Sequence, residues 1–226
     1  MSLLSKKILR AQGFIFDLDG TLIDTTPLVE AFWRQFALEN DLDAEKILST
    51  SHGRRTIETI AEWVPHKATL EYAEEFEGKL AQNTEGLSVL PGVTALLEKI
   101  PLGRMGICTS GNKKMAQTRL TQCGMPIPTV MATGDTVTTG KPDPEGYLTS
   151  ARALGIDPRD CVVFEDAPAG VKAAKSAGMQ CVGCLTSHTA EQLKEAGVDY
   201  IVPLLTEVDI EIMADGSFEV ILTNPQ

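Results

Sequence analysis

Along the chain, short uninterrupted apolar runs alternate with stretches whose apolar residues recur at helical spacing. The first run, Gly13-Phe14-Ile15-Phe16, stops at Asp17. It is short, lacks polar alternation and ends at turn residues, which predicts a buried strand. Similar runs stand at 105–108, 130–132, 161–164, 180–183 and 200–202. Between them lie helical patterns over 112–122, 144–154, 167–177 and 190–196. Strand and helix in alternation predict an α/β fold with a parallel sheet covered on both faces.

Residues 25–87 break the alternation. They carry helical patterns over 27–39, 44–49, 56–63 and 69–83, and no strand-like run. Pro27 suits a first helical turn, and Pro91-Gly92 marks the return to the sheet. The pattern predicts an all-helical insert: a core of residues 1–24 and 88–226, and an inserted segment of residues 25–87. The tail, 209–222, alternates apolar residues around Asp215-Gly216, a hairpin signal.

Composition narrows the class. The chain has 226 residues, 43% hydrophobic and 23% charged, enough for a core domain plus a smaller insertion. A net charge of −11 disfavours nucleic acid and anionic lipid as partners. An anionic substrate would need a local basic pocket against that field. No run approaches the ~18 apolar residues that span a bilayer, so no membrane partner is expected. The N-terminal MSLLSKKILRAQ lacks the apolar region and cleavage site of a signal peptide. Met1–Leu3 have the look of an expression remnant. The five cysteines are scattered through apolar segments and are expected to be reduced and buried, as in a cytoplasmic protein. Cys181 and Cys184 form a lone pair that strand spacing sends to opposite faces, with no second pair to complete a zinc site. No obligate protein partner is evident.

The candidate chemistry begins where the first strand ends. Asp17-Leu18-Asp19-Gly20-Thr21 places two carboxylates at the carboxyl edge of a parallel sheet, where ligands collect. Asp17 can attack phosphorus and form an aspartyl-phosphate. Asp19 can protonate the leaving alkoxide and then take a proton from water. Repulsion between phosphate and carboxylate at ~4 Å is about 4 kcal/mol per charge pair at an effective dielectric of ~20, so a cation must intervene, and hard oxygen ligands imply Mg²⁺. Glu165-Asp166, after the run ending at Phe164, supply further carboxylates. Thr109-Ser110-Gly111, after the 105–108 run, offers a hydroxyl, backbone amides and a following helix N-terminus for phosphate; a plain Ser/Thr helix cap is the alternative. Lys141 stands between Gly140 and Pro142 and can supply a fixed cation.

The four motifs DLDGT, TSG, GKPDP and FEDAPAG, in this order, resemble the haloacid dehalogenase superfamily over nearly the whole chain. The resemblance implies a Rossmann-like core with a helical cap inserted after the first strand. It implies Asp17 as nucleophile and Asp19 as general acid/base, with Thr109 and Lys141 holding the phosphoryl group. Mg²⁺ would be held by Asp17, the main-chain oxygen of Asp19 and Asp166, with Glu165 nearby or through water. Asp19 favours phosphate monoesters, because dehalogenase branches lack a second aspartate there and phosphonatases use a cap lysine.

The loop Ser51-His52-Gly53-Arg54-Arg55-Thr56 is similar to the specificity loop of the 2-deoxyglucose-6-phosphate and glycerol phosphate phosphatases. An arginine fork there can bind phosphate or polyol oxygens; a charged turn between helices is the plainer reading. On the resemblance Arg55 is the stronger substrate candidate and Arg54 the variable one, and His52 either touches substrate or caps the turn. His66 and His188 are expected at the surface. The substrate class implied is a small phosphorylated sugar or polyol. A beta-phosphoglucomutase-type phosphomutase shares the motifs, but carries a hinge histidine where this chain has Val29. A phospho-accepting signalling module combines similar residues in another order, without a cap.

Overall fold

The structure is a computed structural model and describes residues 5–226, so Met1–Leu3 lie outside the described residues. In chain order the elements begin with β1 (Lys6–Ala11), β2 (Gly13–Phe16) and β3 (Ile23–Asp24). Helices α1 (Thr26–Glu39), α2 (Ala44–Ser51), α3 (Thr56–Trp63) and α4 (Leu70–Gln82) follow. Next come β4 (Ser88–Val89), α5 (Val93–Leu97), β5 (Met105–Cys108), α6 (Lys113–Gln122), β6 (Val130–Ala132) and α7 (Glu145–Leu154). The chain closes with β7 (Cys161–Glu165), α8 (Pro168–Ser176), β8 (Gln180–Cys184), α9 (Ala190–Glu195), β9 (Tyr200–Val202), β10 (Val208–Ile212) and β11 (Phe218–Thr223).

All six predicted apolar runs pair as one parallel sheet, in the order β6-β5-β2-β7-β8-β9. The sheet carries a core on each face, which is why its strands read as continuous apolar runs. Phe14 and Phe16 of β2 join Phe164 of β7 on one face, and the Phe16 and Phe164 rings stack 5.0 Å apart. Ile15, Val163 and Cys181 face the other side with Tyr147 and Val171. Cys181 and Cys184 lie in opposite cores, as strand spacing requires, and all five cysteines are free. This is the α/β Rossmann-like sheet that the sequence predicts.

Four elements escape the sequence reading: β1, α5 and the two-residue strands β3 and β4. β1 mixes exposed and buried residues and pairs antiparallel with β11, in a small sheet β1-β11-β10 that packs Phe218 and Val220 onto the first core. α5 is only five residues long, too short for a helical period to show. The predicted hairpin is present as β10 and β11, with Gly216 at φ 80° in its turn.

Between Thr26 and Gln82 every α-helix belongs to the set α1–α4, which gathers Trp33, Phe36, Ile47, Ile60 and Ala73 into an apolar cluster of its own. Asp43 and Thr69 cap α2 and α4 through side-chain acceptors. The chain enters and leaves this segment through a two-stranded ribbon, with Ile23 opposite Val89 and Asp24 opposite Ser88. A second joint lies at the end of α4. Arg119 of α6, fully buried, donates to the carbonyls of Leu80 (2.8 Å) and Asn83 (2.7 Å), while Gln122 donates to Ala81 (2.9 Å). These are the orphan carbonyls of a helix C-terminus, where a cation is also favoured by the helix dipole. No described helix is long and apolar enough to cross a membrane.

Arg119→Met keeps aliphatic volume but removes the guanidinium donors to Leu80 and Asn83, leaving Leu80 only the Asn83 amide (3.2 Å). Unfolding in denaturant is expected to show a loss of about 2–4 kcal/mol, the range for losing charged hydrogen bonds in a buried setting. A change within the scatter of surface substitutions would contradict the joint.

Candidate active site

The carboxyl ends of β5, β2 and β7 lie side by side, and each delivers part of the site. Asp17 follows β2, Thr109 follows β5, and Glu165 ends β7 with Asp166 next. The chain after β2 turns sharply: the Leu18 carbonyl accepts from Leu22 (2.9 Å) and Ile23 (3.1 Å). Gly20 permits that turn at φ 89°, and a Cβ there would sit 2.8 Å from the Asp166 carboxylate carbon. Asp166 in turn accepts from Thr21 Oγ1 (3.1 Å) and from the Ser187 hydroxyl.

Lys141 Nζ donates to Asp17 Oδ1 (2.5 Å) and Glu165 Oε1 (2.6 Å), with all three side chains buried. Glu165 is saturated. Its Oε1 also accepts from Tyr147 OH (3.0 Å), and its Oε2 accepts from the amides of Asp166 and Ala167, both at 2.8 Å. Burial alone would strip the proton from Lys141, but Asp17 and Glu165 outweigh it and hold the ammonium well above its usual pKa. Burial pushes the Asp17 carboxyl up; Lys141 opposes that, and the neighbouring carboxylates reinforce it. Burial and then Glu165 push Asp166 up to about 7.

Carboxylate oxygens of Asp17, Glu165 and Asp166 lie within 4.8 Å of one another. Three buried carboxylates face one ammonium, so two negative charges are uncompensated. A dry cluster of that charge fits a hard divalent cation held by oxygen ligands. Each Asp166 oxygen accepts a single hydrogen bond and Asp17 accepts only from Lys141, so both keep lone pairs to give it, whereas each Glu165 oxygen already accepts two.

Asp19 is held by Thr25 Oγ1 (2.8 Å) and, more loosely, by Thr109 Oγ1 (3.4 Å). Thr25 is the residue immediately before α1, so the orientation of Asp19 depends on the root of the helical segment. Asp17 and Asp19 line a cavity of about 70 Å³ together with Val29, Trp33, Ser51, His52, Arg54, Thr56, Thr109, Ser110 and Gly111. A larger groove of about 490 Å³ between α4 and α6 contains none of the predicted site residues.

Three placements differ from the sequence expectation. Arg54, not Arg55, lines the cavity beside Asp17. The Arg55 guanidinium instead turns to Glu58 (2.7 Å) and to the carbonyls of Gly134 (3.1 Å) and Val137 (3.0 Å). The α6 N-terminus is not open to phosphate, because Glu77 takes the Asn112 amide (3.0 Å) and Asp135 takes the Lys113 amide (2.9 Å). His188 is half-buried rather than on the surface. It stands edge-to-face with His52 at 5.8 Å, and its Nδ1 lies 3.1 Å from the Asp166 carbonyl oxygen. Burial lowers the pKa of both histidines. His66 is exposed, as expected. Ser187 and Tyr147 were missed by sequence reasoning. Ser187 follows β8, so the rule of strand carboxyl ends could have found it; Tyr147 has no signal beyond an apolar helical position.

Comparison with known proteins agrees with this geometry. Residues 11–178 match the family model of the haloacid dehalogenase-like hydrolases. The chain is 36% identical to hexitol phosphatase A of Escherichia coli, over 92% of this chain and 98% of that one. It is 37% identical to glycerol-1-phosphate phosphohydrolase 2 of Saccharomyces cerevisiae, over 89% of this chain and 86% of that one. A beta-phosphoglucomutase structure from Clostridium difficile superposes with a TM-score of 0.72 at 27% identity, covering 88% of this chain and 93% of that one. A parallel sheet with its carboxylates gathered at three adjacent strand ends, a family match over most of the chain and phosphatase relatives that span nearly all of it give one conclusion: this chain is an enzyme of the haloacid dehalogenase-like hydrolase family.

Proposed function

We propose that the chain is a Mg²⁺-dependent phosphatase that hydrolyses a small sugar or polyol phosphate monoester through an aspartyl-phosphate on Asp17. The observation that carries this reading is the convergence of Asp17, Asp19, Thr109 and Asp166 at three adjacent strand ends, with Lys141, from the loop after β6, fixed on Asp17 at 2.5 Å.

One oxygen of Asp17 carries Lys141; the other attacks phosphorus as the ester P–O bond breaks. Asp19, protonated, gives its proton to the leaving alkoxide. Water then enters, Asp19 takes its proton, and the P–O bond to Asp17 breaks to release phosphate. Lys141 and the Thr109 hydroxyl hold the phosphoryl oxygens, with Ser110 and Gly111 lining the same wall. Asp17, the main-chain oxygen of Asp19 and Asp166 would hold Mg²⁺, and Glu165 anchors Lys141. When bound, Mg²⁺ supplies the positive charge that lets a dianionic phosphate approach the carboxylates.

Residues 25–87 act as a cap domain over the core of residues 1–24 and 88–226, excluding bulk water when closed. His52, Arg54 and Thr56 present polar groups to the leaving group. Ser51 Oγ, in a buried residue of the cavity wall, has no hydrogen-bond partner among the described residues, which suits a substrate hydroxyl. Val29 and Trp33 offer apolar surface to the carbon skeleton. The named relatives act on hexitol and glycerol phosphates, in keeping with such a lining. Free thiols, four of them buried and Cys123 half-buried, suit a cytoplasmic location. Val29 at the hinge favours hydrolysis over mutase chemistry.

A phosphate-release screen over sugar and polyol phosphates is expected to find a substrate with Mg²⁺ and none with EDTA. Asp17→Asn is expected to lose at least about 10³-fold in kcat; near-wild-type release would contradict the mechanism. Isomerisation of beta-glucose 1-phosphate with a bisphosphate primer, without net phosphate release, would instead establish the mutase.

The charge cluster also has a stability signature. Asp166 titrates at about 7 in the fold, against an unfolded carboxyl near 4. Its folded pKa is raised, so the fold binds the extra proton and loses stability as pH rises from ~4 through ~7. In EDTA, thermal melts are expected to show Asp166→Asn gaining on wild type between pH 5 and pH 8, with Mg²⁺ restoring wild type at pH 8. Parallel pH curves would contradict it.

A further inference from the structure

The loop between β6 and α7 carries Lys141, and the helical segment grips that loop by its backbone. Arg55 donates to the carbonyls of Gly134 (3.1 Å) and Val137 (3.0 Å). Glu58, one turn along, accepts from the amide of Gly140 (3.1 Å), the residue directly before Lys141. Arg55 Nε and Glu58 Oε1 are paired at 2.7 Å, with side chains 16% and 24% exposed. From the core side, the Glu145 carboxylate takes the amides of Thr138 and Thr139, both at 2.9 Å. The loop is thus held on both sides by charged groups acting on main-chain atoms, which is a strong form of hydrogen bond.

Gly140 carries the imprint of this contact. It does not sit at positive φ, so conformation does not demand a glycine there. Space does: a Cβ would lie 2.8 Å from Arg55 Cγ and 2.9 and 3.0 Å from the two Glu58 carboxylate oxygens. The glycine of the GKPDP motif is therefore fitted to the Arg55–Glu58 pair.

We infer that Arg55 and Glu58 are positioning residues, which couple closure of the helical segment to placement of Lys141 on the reacting phosphoryl group. The inference rests on the phosphatase reading above for the role of Lys141, and it assigns Arg55 to the loop rather than to the substrate. Lys141 has a long side chain that must reach both Asp17 and Glu165. Pinning the residue before it fixes the base of that side chain, and small displacements of catalytic groups are costly. The phosphoryl group is common to every substrate. Loss of the grip must therefore lower turnover by the same factor whatever the leaving group, whereas loss of a substrate contact would not.

The test uses the whole chain with Mg²⁺, the best substrate of the screen and a generic aryl phosphate. Arg55→Ala and Glu58→Ala are each expected to lower kcat about 10–100-fold, equally for both substrates. Glu58→Gln keeps an acceptor for the Gly140 amide and is expected to retain most activity. Gly140→Ala is expected to match Glu58→Ala in an otherwise wild-type chain and to add little to it in the double variant. A loss confined to the preferred substrate, or full additivity of Gly140→Ala with Glu58→Ala, would overturn the inference. A second readout needs no activity: hydrogen exchange of the Gly140 amide, followed by NMR, is expected to be protected in wild type and Glu58→Gln and faster in Glu58→Ala. Equal protection in all three would overturn it as well. If wild type hydrolyses no phosphate ester, the phosphatase reading fails, and the exchange result still decides whether the grip exists.

Discussion

The structure is organised around a charge imbalance buried at the ends of two neighbouring strands. Asp17, Glu165 and Asp166 are brought within 4.8 Å of one another, and Lys141 is the ammonium set among them. Such a cluster is costly in a dry interior unless every atom is partnered. The fold meets that demand unevenly. Glu165 is fully satisfied by Lys141, Tyr147 and two amides. Burial, reinforced by the neighbouring carboxylates, raises the pKa values of Asp17 and Asp166. The strain is placed where a divalent ion and a phosphate would relieve it.

The helical segment touches the core at two places, the loops around the candidate site and the end of α4. Ser110 donates to the Gly53 carbonyl (2.7 Å), Glu77 holds the Asn112 amide, and Arg55 with Glu58 holds the loop before Lys141. Thr25, at the entry to the segment, holds Asp19. The exit is fixed separately by Arg119 at the end of α4. A segment anchored at its root and touching the loops of Ser110 and Gly140 at its tip is suited to assembling the proposed site as it closes.

The core of this site was legible in the sequence because its signals are local. A buried parallel strand is a continuous apolar run, and the polar residue that ends it marks the edge where ligands bind; Asp17, Thr109 and Asp166 all follow such runs. β1 was hidden because its partner, β11, lies about two hundred residues away and its own pattern is half exposed. The direction of Arg55 was hidden for a related reason. An arginine fork serves a substrate or a row of carbonyls equally well, and only the tertiary fold shows that Gly134 and Val137 offer theirs. Likewise no spacing rule announces that Glu77 and Asp135 would occupy the amides at the start of α6. Gly140 is the instructive residue: the sequence shows only a glycine beside Lys141, and the structure traces it to the closeness of a side-chain pair from another element.

The most direct test of the account is to trap the intermediate. Enzyme turning over substrate with Mg²⁺ would be quenched in acid and treated with borohydride, which reduces an acyl phosphate to the alcohol. Peptide mass spectrometry is expected to find homoserine at position 17 in place of Asp17, dependent on both substrate and Mg²⁺. Steady phosphate release with Asp17 unmodified, or with the reduced residue elsewhere, would contradict the central claim.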